Sequence, residues 1–466
     1  MNTELMGIDE LSLSIKGRLF SFSFSPNSCF CSVSLDSRTV KENGLFFALE
    51  GASCDGHGFI EDAFKAGARA VVAEASKLES FNLVNIAKKY GKDLIVVQNT
   101  LNALHDSAVA YLKKFPSLVK IAITGSSGKT TTKEIAASII SCEKNTIKNE
   151  GNFNSETGLP LSVFNIRSCH EVGIFEFGMN KRGEIAALAE ILRPNIAQVT
   201  NISHAHVAFF GSKNEILKEK KCIFKYMTDN DIALIPKDDE CADDLAQGLA
   251  GNIRYYGADS FAEFEGARSL GLEGTEICWA GEKIRFALPG NHNLQDALAA
   301  IAVAKEVNVS NDAVKKGLES VKPLFGRLEI LKGRTTVIRD CYNANPESMA
   351  KSIDFCNSLD WDGRKIYVLA DMLELGKISF SAHIKLGNHL TKSKADKIFL
   401  YGREIEAAAS CLSEKGKPFF YTDDMEQLAS ALDCYVQPTD LVLLKGSRGC
   451  ALERLNNILT EVEHGS

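Results

Sequence analysis

The sequence is short of several things, and each shortage closes off a class of protein. It has no surplus of positive charge: 53 Lys and Arg stand against 60 Asp and Glu, a formal net charge of −7, so nucleic acid is not the default partner. No apolar run approaches the roughly 20 residues that a membrane-spanning helix needs. Between Met1 and Phe20 there is no uninterrupted apolar core, and Glu4, Asp9 and Glu10 precede any basic residue, so this stretch does not resemble a secretory signal. The 13 cysteines form no repeated Cys-x-x-Cys pairs, and the nearest two, Cys29 and Cys31, lie in a strand-like run without histidines at metal-ligand spacing. Reduced thiols in a cytoplasmic protein are expected. There is no internal repeat, low-complexity tract or long linker.

What remains is an ordinary globular composition, 45% hydrophobic and 24% charged over 466 residues, long enough for about three domains. Residues 1–98 alternate short β-rich runs (Ser34 to Arg38, Gly44 to Leu49, Ala70 to Ala73) with a helix at Phe59 to Ala66. Residues 99–322 carry an amphipathic helix through Leu101, Leu104, Ala108 and Leu112, then strands at Val119 to Ile123, Val172 to Phe177 and Ile196 to Asn201. Beyond Pro323, apolar strands at Thr336 to Ile338, Lys365 to Leu369, Lys397 to Tyr401, Pro418 to Tyr421 and Leu441 to Leu444 alternate with helical patterns. Strands alternating with helices predict parallel sheets whose binding loops sit at the strand C-termini. The predicted fold class is α/β in three domains: a small N-terminal α/β module (1–98), a central P-loop ATPase domain with a parallel sheet (99–322), and a C-terminal doubly wound, Rossmann-like domain (323–466).

The most informative run is Thr124-Gly125-Ser126-Ser127-Gly128-Lys129-Thr130-Thr131-Thr132, directly after the strand Val119 to Ile123. Glycines let the backbone turn tightly and aim its N–H groups at a polyphosphate, and the following helix adds the positive end of its dipole. Lys129 supplies a point charge and Thr130 a hydroxyl for Mg2+. The loop is a shortened Gly-x-x-Gly-Lys-Thr, because Ile123 stands five residues before Gly128, where the longer pattern has glycine. A Gly/Ser turn between strand and helix would share its composition, but not the ordered strand, Lys, Thr and helix.

Four further places carry chemistry. Glu176 ends the apolar strand Val172-Gly173-Ile174-Phe175, where a carboxylate is placed to hold Mg2+. The strand Ile196 to Ile202 runs into Ser203-His204-Ala205-His206, where histidines two apart are by themselves weak evidence for a metal. On a helical wheel Ile216, Leu217, Ile223, Phe224 and Met227 form an apolar arc with Lys220 in its middle and Lys218, Lys221 and Lys225 opposite. A lysine in an apolar interface has a lowered pKa, the condition under which its neutral amine reacts with CO2 to give a carbamate. A snorkelling lysine or a different helix phase would give the same pattern. In the third domain, Arg327 can reach phosphate, Asp340 can accept from ribose hydroxyls, and Asn343 and Asn345 can hold polar edges, although Asn345-Pro346-Glu347 is also an ordinary helix start.

Together these runs resemble the Mur ligases, the ATP-dependent amide-forming enzymes of peptidoglycan precursor assembly. The likeness runs through Asp36-Ser37-Arg38, Gly44 to Leu49, Asp55-Gly56-His57, the phosphate loop, Gly151-Asn152-Phe153-Asn154, Gly158-Leu159-Pro160, Glu176 to Asn180 and Ala205-His206 through Gly211-Ser212. It continues through Gly290-Asn291-His292-Asn293, Gly326-Arg327, Tyr342 to Pro346, Asp371 to Gly376 and Lys445-Gly446-Ser447-Arg448-Gly449. The likeness is to the type that joins D-alanyl-D-alanine to UDP-N-acetylmuramoyl-tripeptide. It implies an N-terminal domain for the UDP-sugar, a central domain for ATP and a C-terminal domain that closes over both. ATP would be held by Gly125, Ser126, Ser127, Gly128, Lys129, Thr130 and Thr131 with Asn293, Asp296, Arg327, Asp340, Asn343 and Asn345. The other substrates would be held by Ser37, Arg38, Asn152, Asn154, Lys445, Ser447 and Arg448. Two Mg2+ ions are implied, one on Thr130 and Glu176 and one on Glu176, His206 and a carbamate on Lys220, with Lys129, Glu176, His206 and Lys220 catalytic. A monomer with no nucleic-acid partner and no membrane span is expected.

Four positions depart from the family pattern. Asp296 replaces an asparagine, and an ionised carboxylate cannot donate to adenine. Ser155 replaces an asparagine, Ala208 a glutamate and Ala370 a glycine. A P-loop switch protein is the alternative from another class, but Asn180-Lys181-Arg182-Gly183 lacks the Asn-Lys-x-Asp guanine reader. Among sibling ligases, the Tyr342-to-Pro346 run argues against the enzyme that adds the tripeptide's third residue and against a folylpolyglutamate synthetase.

Overall fold

The structure, a computed structural model, describes residues 4–22, 28–51, 53–205 and 207–461. Its contacts divide the chain into two compact units, Met1–Ala122 with Lys144–Met179 and Glu184–Asn195, and Ile123–Glu143 with Asn180–Gly183 and Ile196–Ser466. Among the described residues no helix is long and apolar enough to cross a membrane.

In the first unit a five-stranded sheet runs in the order Arg18–Phe20, Asp93–Val97, Ala70–Glu74, Leu45–Phe47, Val33–Ser34. Only the Arg18–Phe20 strand is antiparallel to its neighbour. Phe46, Val71, Leu94 and Val96 pack from this sheet against Ile60, Phe64, Leu83 and Ala87 of two helices, Ile60–Lys65 and Leu83–Tyr90. The β-run expected at Ser34 to Arg38 is largely not a strand: Asp36 accepts from the Arg38 N–H and caps a 3-10 turn, Ser37–Thr39. A short polar side chain bonding its own backbone outcompetes the ladder there.

The six-stranded sheet that carries the phosphate loop has the order Asn252–Tyr256, Ile232–Pro236, Ile196–Val199, Val119–Thr124, Val172–Glu176, Thr146–Lys148. The pairings at its two ends are parallel. The predicted strands at Val119, Val172 and Ile196 are all present, each buried along its length as a two-sided sheet requires, except for half-buried Val119 and Lys120. A separate three-stranded antiparallel sheet, Phe264–Ser269, Thr275–Trp279 and Glu282–Phe286, adds to the expected parallel architecture. Its alternation is plain in the burial of Thr275, Ile277 and Trp279. The hairpin turn is Ala280-Gly281, with φ of 52° and 79°, and alanine at a left-handed position hides the turn from a reading based on Asn-Gly or Asp-Gly.

The C-terminal sheet has the order Glu329–Lys332, Thr336–Asp340, Leu441–Lys445, Lys365–Ala370, Lys397–Tyr401, Phe419–Thr422, and all but the first strand are parallel. Four helices, Pro346–Ser358, Ser379–Leu390, Glu406–Glu414 and Met425–Tyr435, alternate with these strands. This is the doubly wound arrangement expected from the sequence, with an antiparallel hairpin at one edge. Asp340 and Lys445 end their strands, and Asp371 directly follows the strand Lys365–Ala370, all at the C-terminal edge of the sheet.

Candidate active site

The phosphate loop leaves the strand Val119–Thr124 and ends at the helix Lys129–Ile140. Gly128 is the helix N-cap with φ of 79°, and a Cβ there would lie 2.1 Å from Asp296 Oδ1. A Cβ on Gly125 would lie 1.8 Å from Thr200 Oγ1. Both glycines are therefore required by close approach, and Gly128 also by its backbone angle. The residues after the strand Ile196–Val199 mould the loop. Thr200 Oγ1 and Asn201 Nδ2 donate to the Ser127 carbonyl at 2.6 and 3.0 Å, and the Ser127 N–H donates to Asn201 Oδ1 at 3.1 Å. The Ser126 N–H donates to the Asn201 carbonyl at 2.9 Å.

Two lysines converge on this loop. Lys129 Nζ donates to the Gly125 carbonyl at 2.9 Å, and Lys220 Nζ donates to the same oxygen at 2.8 Å. Lys220 is only 1% exposed. Its helix spans Lys213–Lys221 and ends in a 3-10 turn, Cys222–Phe224, so the helix is shorter than the expected Ile216-to-Met227 stretch. The expected face is kept all the same: Ile216, Leu217, Ile223, Phe224 and Met227 are buried with Lys220, while Lys218 and Lys225 are exposed. Two lysine side chains donating to one loop carbonyl set nitrogen donors where a polyphosphate would lie. Thr130 Oγ1 accepts from Arg327 Nη2 at 2.9 Å, and the Arg327 guanidinium lies 4.2 Å from the centre of the Tyr342 ring. Thr131 is buried in the first turn of the loop helix.

Asp296, in the helix Asn291–Glu306, is 9% exposed and presses on Gly128. Burial raises its pKa to about 7, against the lowering pull of Lys351, Arg327, Thr132 and Lys129. Near neutrality this carboxyl keeps its proton part of the time and can then donate as an asparagine would. Asn293 is buried and donates to the Pro289 carbonyl at 2.7 Å.

In the first unit, Glu176 is 2% exposed at the end of its strand. Asn149, which the sequence reading did not single out, bonds the Glu176 backbone like a missing strand partner: the Glu176 N–H donates to Asn149 Oδ1 at 2.9 Å and Asn149 Nδ2 donates to the Glu176 carbonyl at 3.1 Å. Asn154 Nδ2 donates to Glu176 Oε1 at 2.8 Å, orienting the carboxylate. Asn152 is exposed beside it. Ser37 is buried, while Arg38 is exposed and forks onto Asp36, whose carboxyl it holds down at about 2. His206 lies outside the described residues. Its neighbour His204 meets Glu347, with Nδ1 and Oε1 2.6 Å apart.

The C-terminal residues are more occupied with one another than the sequence suggested. Asp340 and Lys445 are register partners on adjacent strands and form an ion pair of 2.8 Å, and Lys445 also donates to the Asn343 carbonyl. Asn343 Oδ1 accepts from the Ala344 N–H. Asn345 caps the helix Pro346–Ser358 in a capping box with Ser348, the helix start that its sequence allowed. Ser447 Oγ accepts from the Leu373 N–H. Arg448, half exposed, pairs with Glu453 at 2.8 Å and lies over the Phe325 ring.

A phosphate loop at the end of a sheet strand, with two lysines on one loop carbonyl and an arginine on its threonine, defines a nucleotide-using α/β protein of the phosphate-loop class. Three family descriptions match in order: the Mur ligase family catalytic domain over residues 30–114, the Mur ligase middle domain over 123–304, and the Mur ligase glutamate ligase domain over 326–448. A UDP-N-acetylmuramoyl-tripeptide–D-alanyl-D-alanine ligase from Treponema pallidum is 39% identical over 98% of this chain and 99% of its own length. The crystal structure of MurF from Acinetobacter baumannii matches with a TM-score of 0.87 at 27% identity, covering 98% of this chain and 99% of that one. MurF ligase from Thermotoga maritima in complex with ADP matches at 0.78 and 29% identity, covering 92% and 96%. The chain belongs to the Mur ligase family, and it is an ATP-dependent amide ligase.

Proposed function

We propose that this protein joins D-alanyl-D-alanine to UDP-N-acetylmuramoyl-tripeptide, using ATP and releasing ADP and phosphate, in the building of peptidoglycan precursors. The observation that carries the reading is the convergence of Lys129 and Lys220 on the Gly125 carbonyl of the phosphate loop, in a chain similar to such ligases over nearly its whole length. A carboxylate is a poor electrophile. The tripeptide's terminal carboxylate attacks the γ-phosphorus of ATP, the bond to ADP breaks, and the resulting acyl phosphate has a good leaving group. The dipeptide amine then attacks the carbonyl carbon, phosphate departs, and the amine loses a proton. Lys129 and the loop N–H groups hold and neutralise the phosphates during transfer. Arg327 reaches the same place through Thr130, and Asp296, Asn293, Asn343 and Asn345 belong to the nucleotide side. Exclusion of water protects the acyl phosphate and is the purpose of a C-terminal domain that closes.

The residues present fit Mg2+, which prefers oxygen donors: a Thr130 hydroxyl and a Glu176 carboxylate 2% exposed and aimed by Asn154. Thr130 and Glu176 would hold one ion, and Glu176, His206 and a carbamate on Lys220 a second. Bound there, the ions would offset phosphate charge. The buried amine of Lys220 supports the carbamate, since only an unprotonated amine reacts with CO2. Residues 1–98, with Ser37 and Arg38, would take the UDP-sugar. Asn152 and Asn154 would act with Lys445, Ser447 and Arg448 on the peptide portions, Lys445 by steadying Asp340 and Asn343. Phosphate release from ATP, measured with each acceptor alone and with both, tests the reading. Strict dependence on both supports it, and release with neither favours a nucleotide switch.

A further inference from the structure

The C-terminal sheet ends at the strand Phe419–Thr422, which among the described residues has a neighbouring strand on one side only. It pairs in parallel with Lys397–Tyr401: the Ile398 N–H donates to the Pro418 carbonyl at 3.2 Å and the Gly402 N–H to the Thr422 carbonyl at 3.1 Å. Residues 418, 420 and 422 therefore bond inward, and by the alternation of a parallel ladder Phe419 and Tyr421 turn their backbone groups outward. Lys397 Nζ donates to the Phe419 carbonyl at 3.0 Å. The Phe419 N–H and both backbone groups of Tyr421 are left facing away from the sheet, which is the arrangement that accepts an added strand.

Phe419 and Tyr421 also share one face of the strand, while Phe420 turns to the other and packs with Phe399 and Leu428. On the Phe419 face, the helix Glu406–Glu414 and the two aromatic rings border an open groove of about 520 Å3. Its helical wall is Glu406, Ala409, Ser410, Ser413 and Glu414, whose spacing of three and four places them on one side of the helix. The middle of this wall is small and its two ends are acidic. Among the described residues neither Glu406 nor Glu414 has an ion-pair partner. Arg403 pairs instead with Asp423, and Lys417 donates to the Ser393 carbonyl. Lys415, exposed just past Glu414, offsets one of the two carboxylates at most.

Charge and spacing together define what fits. Glu406 and Glu414 are eight helical residues apart, about 12 Å along the axis. In an extended chain, residues i and i+4 lie about 13 Å apart on the same face. We propose that this edge and groove dock an extended basic segment of a partner protein, added as a further strand beside Phe419–Thr422. Lys or Arg at i and i+4 meets the two carboxylates, and an apolar residue at i+2 lies over Ala409 and Ser410. The surface stands apart from the ligase reaction, because the strands Lys365–Ala370 and Lys397–Tyr401 separate it from the strand that ends in Lys445.

The test titrates the full-length protein into a fluorescent, capped octapeptide, Gly-Thr-Lys-Thr-Val-Thr-Lys-Gly, and reads anisotropy at low and at physiological salt. Binding with a Kd on the order of 0.1 mM is expected at low salt, weaker at physiological salt. Glu406→Gln and Glu414→Gln combined in one chain should weaken it roughly tenfold, with ligase turnover unchanged. Moving the second lysine to the sixth position puts it on the opposite face and should weaken binding roughly fivefold. Methylating the backbone nitrogens of the third, fifth and seventh residues, or of the fourth and sixth, should abolish binding for one set and spare it for the other. A Kd above about 1 mM, equal binding of the moved-lysine peptide, an unchanged constant in the double variant, or tolerance of both methylated sets overturns the proposal. Equal affinity for spermidine also overturns it, since the groove would then be a simple cation site. So does a concentration-dependent dimer in sedimentation that the double variant abolishes, since the occupant would then be a second copy of the chain.

Discussion

Replacing Asp296 with asparagine tests the least expected feature of the nucleotide side. The carboxyl is 9% exposed, wedged against Gly128, and burial raises its pKa to about 7. In the unfolded chain an aspartate titrates near 4. The folded protein therefore binds this proton more tightly, so the contribution to stability is complete below about pH 4 and is lost as pH rises through about 7. Moving a carboxyl from about 4 to about 7 corresponds to on the order of 4 kcal/mol, an upper figure because the site relaxes and water enters. Asparagine has nearly the same shape, donates at every pH and carries no charge to bury. The gap in Tm between Asp296→Asn and wild type should be closed at pH 4 to 5 and open with rising pH. By pH 8.5 the variant should melt roughly 4 to 8 °C higher. Thermal scans of the nucleotide-free protein from pH 4.5 to 8.5 read this directly. A gap that does not change with pH would mean that the carboxyl is ionised throughout and that the Lys129, Arg327 and Lys351 charges outweigh burial. The same variant isolates the role in binding: if the protonated form donates to the base, wild-type ADP affinity should weaken above neutrality and that of the asparagine variant should not.

Three other substitutions bear on the reaction. Lys129→Ala should lower kcat/KM about a thousandfold, on the order of 4 kcal/mol of transition-state stabilisation, and a loss under tenfold would mean that the loop does not hold the transferred phosphate. Lys220→Ala should be nearly inactive and partly restored by a short-chain carboxylate in solution, with the carbamate visible in the wild type as a carbon signal from labelled bicarbonate; unchanged activity removes the carbamate. Asn154→Ala deletes the amide that aims Glu176 Oε1, and the Mg2+ midpoint for nucleotide binding should rise roughly tenfold. An unchanged midpoint would remove Glu176 from the metal set.

How much of this was legible beforehand depended on distance along the chain. The phosphate loop could be read because its glycines, lysine, threonine and flanking strand and helix are contiguous, so local rules suffice. Lys220 could be read because a helical period reports burial even when the ends of the helix are misplaced, as they were here by several residues. The capping role of Asn345 was legible for the same reason, since the cap needs only Pro346, Glu347 and Ser348. The Ala280-Gly281 hairpin was not, because its alanine adopts a left-handed conformation that composition alone does not favour.

The sequence by itself determined the alternation of strands and helices, the phosphate loop and the family, because periodicity, loop chemistry and ordered motifs are properties of neighbouring residues. Only the tertiary structure decided that Asp296 lies under Gly128, that Asn149 completes the edge at Glu176, that Asp340 neutralises Lys445, and that Glu347 meets His204 from 143 residues away. Those contacts fix which carboxyl keeps its proton and which lysine is held by a partner. They arise from burial and from the sheet order that brings distant segments together, and neither quantity is written in any short stretch of the chain.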